Sequence, residues 1–423
     1  MLVNSQNFFR LPFEENSFKL TFNTLNDHKH PDFVVKKRQR ISNRKISFAN
    51  EILTVGITIG DDDEREVYLK VTLEGLLVSD NEDTTDKFLG YFAYMALNNL
   101  MSIYDYQDYS KYYWPDFFDA ETGNSKYLEI INDRQGLDIF LKPGFDNFYK
   151  PSDELFIPEL TPKINRPQMI FMNKKSVDDL NNNGFGFCIV DCLLKSWQAV
   201  HFPFLLTYEG VLTNDRRKMK SFLGFIITED HDERYSPMQK SILKISVELA
   251  KLAEIEPDTI SGPKYLLKLF DTRVFNRFKK MFWLWQDIYP LLVNQPHTHR
   301  LETAGLRRIR KKPRKNYMLE CKFLYDVPQI VFRWEEKDGY FELSYFFKVN
   351  EILLKPNEEN TAFFINSNDN PLQFYLFERV SDALLTIFFA ERKFKIQVLK
   401  AHFQQFSNYW NWLRSHYDFE YIK

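Results

Sequence analysis

Glycine and cysteine are scarce in this chain, and long apolar runs are missing. Among 423 residues there are 14 glycines and three cysteines, Cys188, Cys192 and Cys321. So few glycines leave little material for phosphate-wrapping loops, and no P-loop or dinucleotide-binding pattern occurs. An odd, low cysteine count argues against a disulfide framework and fits a reducing compartment. The longest apolar runs are far shorter than the ~18 residues of a membrane span.

Targeting signals and a strong charge imbalance are also missing. The first residues lack the basic and apolar regions of a secretory signal peptide, so we expect a cytoplasmic protein without a membrane partner. The 56 Lys and Arg nearly cancel the 58 Asp and Glu, which leaves a net charge of −2. Apolar residues make up 44% of the chain, which is ordinary for a globular protein and too many for a disordered one.

Aromatic residues are abundant, with 41 Phe and 22 Tyr, and many short segments alternate between apolar and polar residues. Ile52–Ile59 and Val67–Leu73 flank an acidic turn and predict a β-hairpin. Ser236 followed by Pro237 favours the start of a helix, and long helices are expected near 236–294. Together these patterns predict a multi-domain α+β protein with antiparallel β-sheets and flanking helices.

Shifts in composition divide the chain into five predicted segments. The first contains the hairpin, and the second is an aromatic-rich α+β domain. A helical segment and a basic linker follow, and the last segment is a β-meander with closing helices. The predicted bounds are 1–103, 104–230, 231–299, 300–316 and 317–423.

No catalytic motif is recognisable, so we expect a protein that is not an enzyme and needs no cofactor. The chain has neither a nucleophile elbow nor the two-histidine zinc helix of metalloproteases. Two His-x-His pairs, His28/His30 and His297/His299, have no Cys or carboxylate at convincing ligand spacing. Polar loop histidines explain these pairs better than a metal site does, and no metal-binding or catalytic residue is predicted.

Two basic segments are the candidate functional features. Between Arg300 and Lys315 there are eight Lys or Arg against one Glu, and Lys36–Lys45 adds six more cations. Such segments neutralise nucleic-acid phosphates and release counterions. A solvated linker is the alternative explanation, because the chain as a whole is not basic. The predicted nucleic-acid-binding residues are Lys36, Lys37, Arg38, Arg40, Arg300, Arg307, Arg308, Arg310, Lys311, Lys312, Arg314 and Lys315.

A long helical pattern over 265–292 combines cations with aromatic residues, which suits stacking on single-stranded nucleic acid. A solvated helix face is the alternative explanation for this pattern. The aromatic run Tyr104–Phe118 is better explained as core than as a stacking platform. The cations of the helical pattern are Arg273, Arg277, Lys279 and Lys280.

The order of several segments resembles the non-catalytic region that precedes the motor in a group of bacterial Swi/Snf-type helicases. Leu76–Ser79 and Ala93–Leu100 are similar to the strand and the helix around that family's SWIM zinc finger. The segment from Phe117 to Lys163 is similar to its Phe-Phe-Asp start and its closing Ile-x-Pro-Lys. The strand meander from Met318 to Phe389 resembles the sheet just upstream of the motor, so the resemblance spans about 70–423.

The zinc ligands of that finger have no counterpart in this chain. Asp80, Glu82, Gly90 and Phe92 stand where the family has cysteines and a histidine, and Gly and Phe have no group that ligates zinc. The resemblance therefore implies a SWIM-like unit without metal and an accessory module without a motor. It also implies a bacterial protein that acts with a separate ATPase or with other protein subunits.

Three functional hypotheses follow from these observations. The leading one is a non-catalytic accessory or adaptor protein of a bacterial DNA-transaction system, which binds nucleic acid, partner proteins or both. The second is a structural subunit of a multiprotein assembly without a nucleic-acid role, because aromatic residues are enriched at interface cores. The third is an unrecognised metal-dependent nuclease, although no carboxylate pattern on paired strands supports it.

Overall fold

The structure is a computed structural model. The chain divides into two compact units, Met1–Asp153 with Gln397–Phe406 and Glu154–Ile396 with Ser407–Lys423. Antiparallel and mixed sheets with flanking helices confirm the predicted α+β class. The structure describes residues 7–33, 40–80, 84–85, 87–101, 105–133, 136–163, 183–192, 202–227, 235–253, 272–293, 295–303, 312–356, 362–367, 369 and 371–422.

The first unit is built on a five-stranded sheet, a two-stranded ribbon and a separate hairpin. Its elements are β1 (Phe9–Leu11), β2 (Lys19–Thr21), α1 (Phe22–Asp27), β3 (Ile41–Ala49), β4 (Ile52–Ile59), β5 (Arg65–Thr72), β6 (Gly75–Ser79), α2 (Tyr91–Leu100), β7 (Tyr106–Asp108), β8 (Leu128–Asp133) and β9 (Gly136–Leu141). The antiparallel sheet has the order β1-β6-β5-β4-β3, the ribbon pairs β2 with β7, and the hairpin pairs β8 with β9. Because β2 pairs with β7, the predicted boundary at 103/104 falls inside this unit.

The predicted hairpin is the centre of this sheet. Strand β4 has the predicted bounds, and β5 begins two residues earlier than predicted. Leu53, Val55 and Ile57 are buried at every second position, which is the alternation expected of a half-buried strand. The aromatic run after α2 is buried in the same unit, as in the core interpretation, with Tyr109, Tyr112, Tyr113, Trp114 and Phe117 among its core residues.

The second unit contains two larger sheets with helices. Its elements are β10 (Asn183–Cys192), β11 (Phe204–Leu212), β12 (Met219–Ile226), α3 (Pro237–Ala253), α4 (Thr272–Leu292), β13 (Thr298–Thr303), β14 (Met318–Phe323), β15 (Gln329–Glu336), β16 (Tyr340–Val349), β17 (Ile352–Leu354), β18 (Phe364–Ser367), β19 (Leu372–Leu376) and α5 (Val380–Ala390). The last elements of the chain are β20 (Lys395–Leu399) and α6 (Phe403–His416), whose residues are divided between the two units, and β21 (Asp418–Ile422) of the second unit.

The seven-stranded sheet of this unit is mixed, with the order β12-β11-β10-β13-β14-β19-β18. Strand β13 runs parallel to β10, and β14 runs parallel to β19, whereas the other neighbours are antiparallel. A second sheet orders β17, β16, β15 and β21. Of the helices that the structure describes, none combines the length and the apolar composition that crossing a membrane requires.

The predicted long helices correspond to α3 and α4. Helix α3 begins at Pro237, and the Ser236 Oγ accepts a hydrogen bond from the Gln239 amide at 3.3 Å, which confirms the predicted cap. Helix α4 buries Trp285, whose indole nitrogen donates to the Pro203 carbonyl oxygen at 2.9 Å just before β11. Cys188 is buried in β10.

One carboxyl group in the second unit lies in surroundings that favour its neutral form. Asp382 is in the first turn of α5, and the Tyr417 hydroxyl donates a hydrogen bond to its Oδ1 at 3.0 Å. Burial raises the pKa of Asp382 to about 6, although Tyr417 and Arg379 oppose this change. The unfolded chain ionises the same group near pH ~4, so the folded state loses stability as the pH rises from about 4 to about 6.

We expect Asp382→Asn to raise the free energy of unfolding at about pH 7.5 by on the order of 2 kcal/mol, because asparagine has no charge to desolvate. Asparagine also keeps a side-chain oxygen for the Tyr417 hydroxyl. The gain should shrink as the pH falls and vanish below about pH 4, where the wild-type carboxyl is protonated in both states. Urea unfolding of both proteins across this pH range checks the prediction, and an equal difference at every pH would contradict it.

Candidate nucleic-acid interface

The predicted interface residues fall into three groups in the structure. Lys312, Arg314 and Lys315 are exposed in the second unit, and Arg40 is exposed in the first unit just before β3. Arg300 lies in β13. The remaining predicted residues lie outside the described ranges: Lys36, Lys37, Arg38, Arg307, Arg308, Arg310 and Lys311.

Arg300 is a correction to the predicted interface, because its side chain is buried. It is 4% exposed, and its Nη2 lies 3.0 Å from Oδ2 of Asp191. Asp191 is on β10, which is the parallel neighbour of β13. An ion pair between neighbouring strands satisfies the guanidinium charge inside the sheet, so this charge is not available to a phosphate at the surface.

The described end of the basic linker is held in place by its own short-range contacts. A single 3₁₀ turn, Lys315–Tyr317, leads directly into β14 and packs against β13 and β14. The Tyr317 amide donates to the Arg314 carbonyl oxygen at 3.0 Å, and Pro313 is buried between two exposed cations. Because Pro313 anchors the segment, Lys312 and Arg314 point away from the core. The next side chains, Tyr317 and Leu319, are about half exposed.

A second group of exposed cations lies in the hairpin that joins β11 to β12. Asp215 organises the turn, since its Oδ1 accepts hydrogen bonds from the Thr213 hydroxyl at 2.5 Å and the Arg217 amide at 3.1 Å. These hydrogen bonds lower the pKa of Asp215 below its ordinary value, the Thr213 hydroxyl being the larger cause. The single acid of the turn is therefore used internally. Its exposed cations are Arg216, Arg217, Lys218 and Lys220.

An ion pair connects the two groups of cations. The Lys218 Nζ lies 3.7 Å from Oε1 of Glu320 on β14. Glu320 is five residues after Lys315 in the chain, so at most about 18 Å separates the two Cα atoms. The acid that could offset the linker charge is thus already paired with a hairpin lysine. We call the exposed set Arg216, Arg217, Lys218, Lys220, Lys312, Arg314 and Lys315 the basic surface.

The curvature of the seven-stranded sheet brings these segments together. A flat sheet would hold β12 and β13 about 14 Å apart, because two strands lie between them. The rings of Phe222 on β12 and His299 on β13 nevertheless approach to 5.3 Å between centroids. Register shifts at Glu209/Gly210 and Val211/Leu212 interrupt the pairing of β11 with β12, and such bulges bend a strand. The sheet therefore curls toward the face that carries Phe222 and His299.

A tyrosine and two histidines fill the curled face. The Tyr208 hydroxyl lies 2.7 Å from Nδ1 of His299 and donates to the His297 carbonyl oxygen at 3.2 Å. The Tyr208 ring crosses β10 above Gly186, where an added Cβ would lie 2.3 Å from the ring. Burial lowers the pKa of His299 to about 4, so this imidazole is neutral at pH 7. Hydrogen bonding to Tyr208 makes His299 a structural core residue rather than a polar loop residue.

No metal site emerges from the described histidines and carboxylates. Within the described ranges, no three His, Cys, Asp or Glu side chains lie together so that they could hold a metal ion. The Glu320 carboxylate does face the two imidazoles, and its charge raises the pKa of each in opposition to burial. The same carboxylate forms an ion pair with the Lys218 ammonium of the basic surface.

The positions compared with zinc ligands form a helix cap. The Asp80 carboxylate accepts hydrogen bonds from the Thr84 amide at 2.8 Å and from the Ala93 amide, in the first turn of α2, at 3.4 Å. Gly90 is the N-cap of α2 and donates its amide to the Thr84 hydroxyl at 3.1 Å. The Arg65 guanidinium lies 5.7 Å from the Phe92 ring. Glu82 lies outside the described residues.

The hairpin cations were missed by the sequence interpretation, although a signal was present. Thr213-Asn214-Asp215 is a typical turn sequence between two apolar runs, and the cations follow it immediately. A hairpin with cations at its tip was therefore predictable. Its proximity to the linker was not, because about 100 residues separate the two segments.

Comparison with known proteins returned no match to a family model, to a curated protein or to a solved structure.

Proposed function

We propose that the chain is a nucleic-acid-binding accessory protein of a DNA-transaction system, and that the basic surface of its second unit contacts the phosphate backbone. The observation that carries this proposal is the pairing of two exposed basic segments through Lys218 and Glu320. Seven cations lie on this surface, and the two acids beside them, Asp215 and Glu320, already have partners. A surface with such a local excess of positive charge attracts phosphates even when the whole chain is nearly neutral.

The geometry suits phosphate contacts better than base-specific contacts. Lysine and arginine side chains on a hairpin tip and on a linker are long and exposed, and both bind phosphate, lysine as a point charge and arginine through paired hydrogen bonds. Most protein–DNA hydrogen bonds go to phosphate and sugar, and they position the protein without reading sequence. We therefore propose binding that depends strongly on salt and weakly on sequence, with partner proteins such as a separate ATPase supplying specificity or chemistry.

Two charge-removal variants test this function in the full-length chain. One replaces Arg216, Arg217 and Lys220 with alanine, and the other replaces Lys312, Arg314 and Lys315. Lys218 is kept in both variants so that its ion pair with Glu320 survives. We expect each variant to bind a fluorescein-labelled DNA duplex more weakly and to lower the slope of log K against log salt by about 2 to 3.

A matched control removes the same charge from other exposed positions, Lys29, Lys87 and Lys355. This variant should bind the duplex like the wild-type protein, with an unchanged salt slope. Fluorescence anisotropy at several salt concentrations measures affinity and slope together. The proposal fails if the wild-type protein does not bind at low salt, or if the control variant weakens binding as much as the other two.

A further inference from the structure

The outer face of helices α3 and α4 is a second basic surface in the same unit. The helices lie side by side, and the Lys280 Nζ on α4 contacts Oε1 of Glu248 on α3 at 2.9 Å. Their inner faces are apolar, with Ile242 and Leu249 of α3 and Phe278 of α4 fully buried. This packing leaves the opposite face of both helices to solvent.

The outer face carries an excess of positive charge. It has six cations and two acids, and one of the acids, Glu248, is already paired with Lys280. This local excess of positive charge differs from the charge of the whole chain, which is −2. A macromolecular ligand of this face should therefore be anionic. The cations are Lys240, Lys244, Lys251, Arg273, Lys279 and Lys280, and the second acid is Asp287.

A large aromatic side chain is exposed among these cations. Trp283 is 50% exposed, whereas Trp285, two residues later on the other side of α4, is fully buried. The Lys279 ammonium lies 5.7 Å from the Trp283 ring and 5.3 Å from the Phe275 ring. Phe275, Lys279 and Trp283 follow each other at four-residue intervals, so they form one stripe along the helix. An exposed tryptophan at mid-helix has no core to stabilise, but it offers a flat ring beside a cation.

We propose that this outer face is a binding site for single-stranded nucleic acid, in which Trp283 stacks on an unpaired base and Lys244, Lys279 and Lys280 lie near the phosphates. An aromatic ring flanked by cations is the usual arrangement for binding single strands without sequence preference. A duplex keeps its bases stacked inside the helix, so it offers no base to Trp283. This site is distinct from the basic surface, and it deepens the proposed function by naming unpaired nucleic acid as a ligand.

The test compares Trp283→Ala and Trp283→Phe with the wild-type protein in the full-length chain. We expect Trp283→Ala to weaken binding of a fluorescein-labelled oligothymidine by about 5- to 100-fold, because one base loses its stacking partner. Trp283→Phe should lose less, since a smaller ring still stacks. Binding of the duplex should be the same for all three proteins. Because Trp283 lies on an exposed helix face, unchanged circular dichroism is expected.

Phe140→Ala is the matched control, because Phe140 is an exposed aromatic residue (51%) on β9 of the first unit. It should leave oligothymidine binding unchanged. Loss of duplex binding in the two charge-removal variants of the basic surface, with oligothymidine binding retained, would separate the two surfaces. Equal oligothymidine affinity of Trp283→Ala and wild type would overturn the proposal. A second result would also overturn the proposal: the wild-type protein binds phosphatidylserine vesicles but no oligothymidine, and Trp283→Ala abolishes the vesicle binding. The face would then be a membrane contact.

Discussion

Gly186→Ala is expected to lower the free energy of unfolding by about 3 kcal/mol, although alanine normally stabilises a strand relative to glycine. An added Cβ at this position would lie 2.3 Å from the Tyr208 ring and 2.7 Å from the His297 carbonyl oxygen. The ring has no room to move, because Tyr208 is fully buried and its hydroxyl contacts His299. The carbonyl oxygen belongs to the backbone and is equally constrained.

Gly224→Ala is the matched control for this substitution. Gly224 lies in β12 of the same sheet, and an added Cβ there meets no atom within 4 Å. This substitution should leave stability unchanged or raise it by about 0.5 to 1 kcal/mol. Urea unfolding followed by circular dichroism measures both variants. Equal stabilities of the two glycine variants would contradict the close packing of Tyr208 on β10.

The coupling between Gly186 and Tyr208 has its own test. In a Tyr208→Ala background, Gly186→Ala should cost less than in the wild-type protein, because the ring that it displaces is gone. The contact with the His297 carbonyl oxygen remains, so some cost should persist. Since the curled face brings the hairpin and the linker together, Gly186→Ala should also weaken duplex binding in the fraction that remains folded. If the effects of Gly186→Ala and Tyr208→Ala on the free energy of unfolding are fully additive, the two residues act independently.

Gly90→Ser is expected to destabilise the first unit by about 2 kcal/mol, although serine is a better N-cap than glycine in most helices. Here the Asp80 carboxylate takes the place of the missing side-chain cap, and it accepts a hydrogen bond from the Ala93 amide. A Cβ at position 90 would lie 2.0 Å from Oδ2 of Asp80. Serine therefore displaces the carboxylate that caps α2.

Asp80→Ala should cost about 2 to 3 kcal/mol, because the buried Thr84 and Ala93 amides lose their acceptor. The double substitution Asp80→Ala/Gly90→Ser should then be more stable than Asp80→Ala alone. With the carboxylate gone, the introduced hydroxyl has room and can accept a hydrogen bond from the first turn of the helix. Urea unfolding of the two single variants and the double variant checks this reversal. If Gly90→Ser destabilises both backgrounds equally, Asp80 is not the cap.

The same residues bear on the resemblance to the SWIM zinc finger. Strand β6 (Gly75–Ser79) precedes helix α2 (Tyr91–Leu100) in the chain. The role of Asp80 and Gly90 is different from that of a ligand pair, since one caps the helix and the other makes room for the cap. The resemblance to the helicase region therefore stays a prediction, and it rests on the order of the segments alone.

Local patterns were enough to predict many elements of the fold. Alternation of apolar residues predicted β4, and Ser236 before Pro237 predicted the start of α3. These predictions succeed because strand alternation and helix capping depend on residues only a few positions apart. Exposure of Lys312, Arg314 and Lys315 follows in the same way from a polar, proline-containing segment.

Other predictions failed or were never made because they depend on distant parts of the chain. Arg300 belongs to the basic segment in sequence, yet Asp191 on the parallel strand β10 holds it inside the sheet. The hairpin cations lie about 100 residues before the linker, and the pairing of Lys218 with Glu320 on the folded sheet brings them together. Neither the periodicity of apolar residues nor a count of charges indicates which distant residue will pair with Arg300 or Lys218.

The sequence by itself determined the fold class, the absence of recognisable catalytic motifs and the presence of basic segments beside aromatic residues. These are properties of composition and short-range pattern. The tertiary structure alone decided which cations are buried, which are exposed together and which aromatic ring is left in solvent. The physical reason is that burial and pairing are set by strands and helices far apart in the chain, as Arg300, Lys218 and Trp283 each demonstrate.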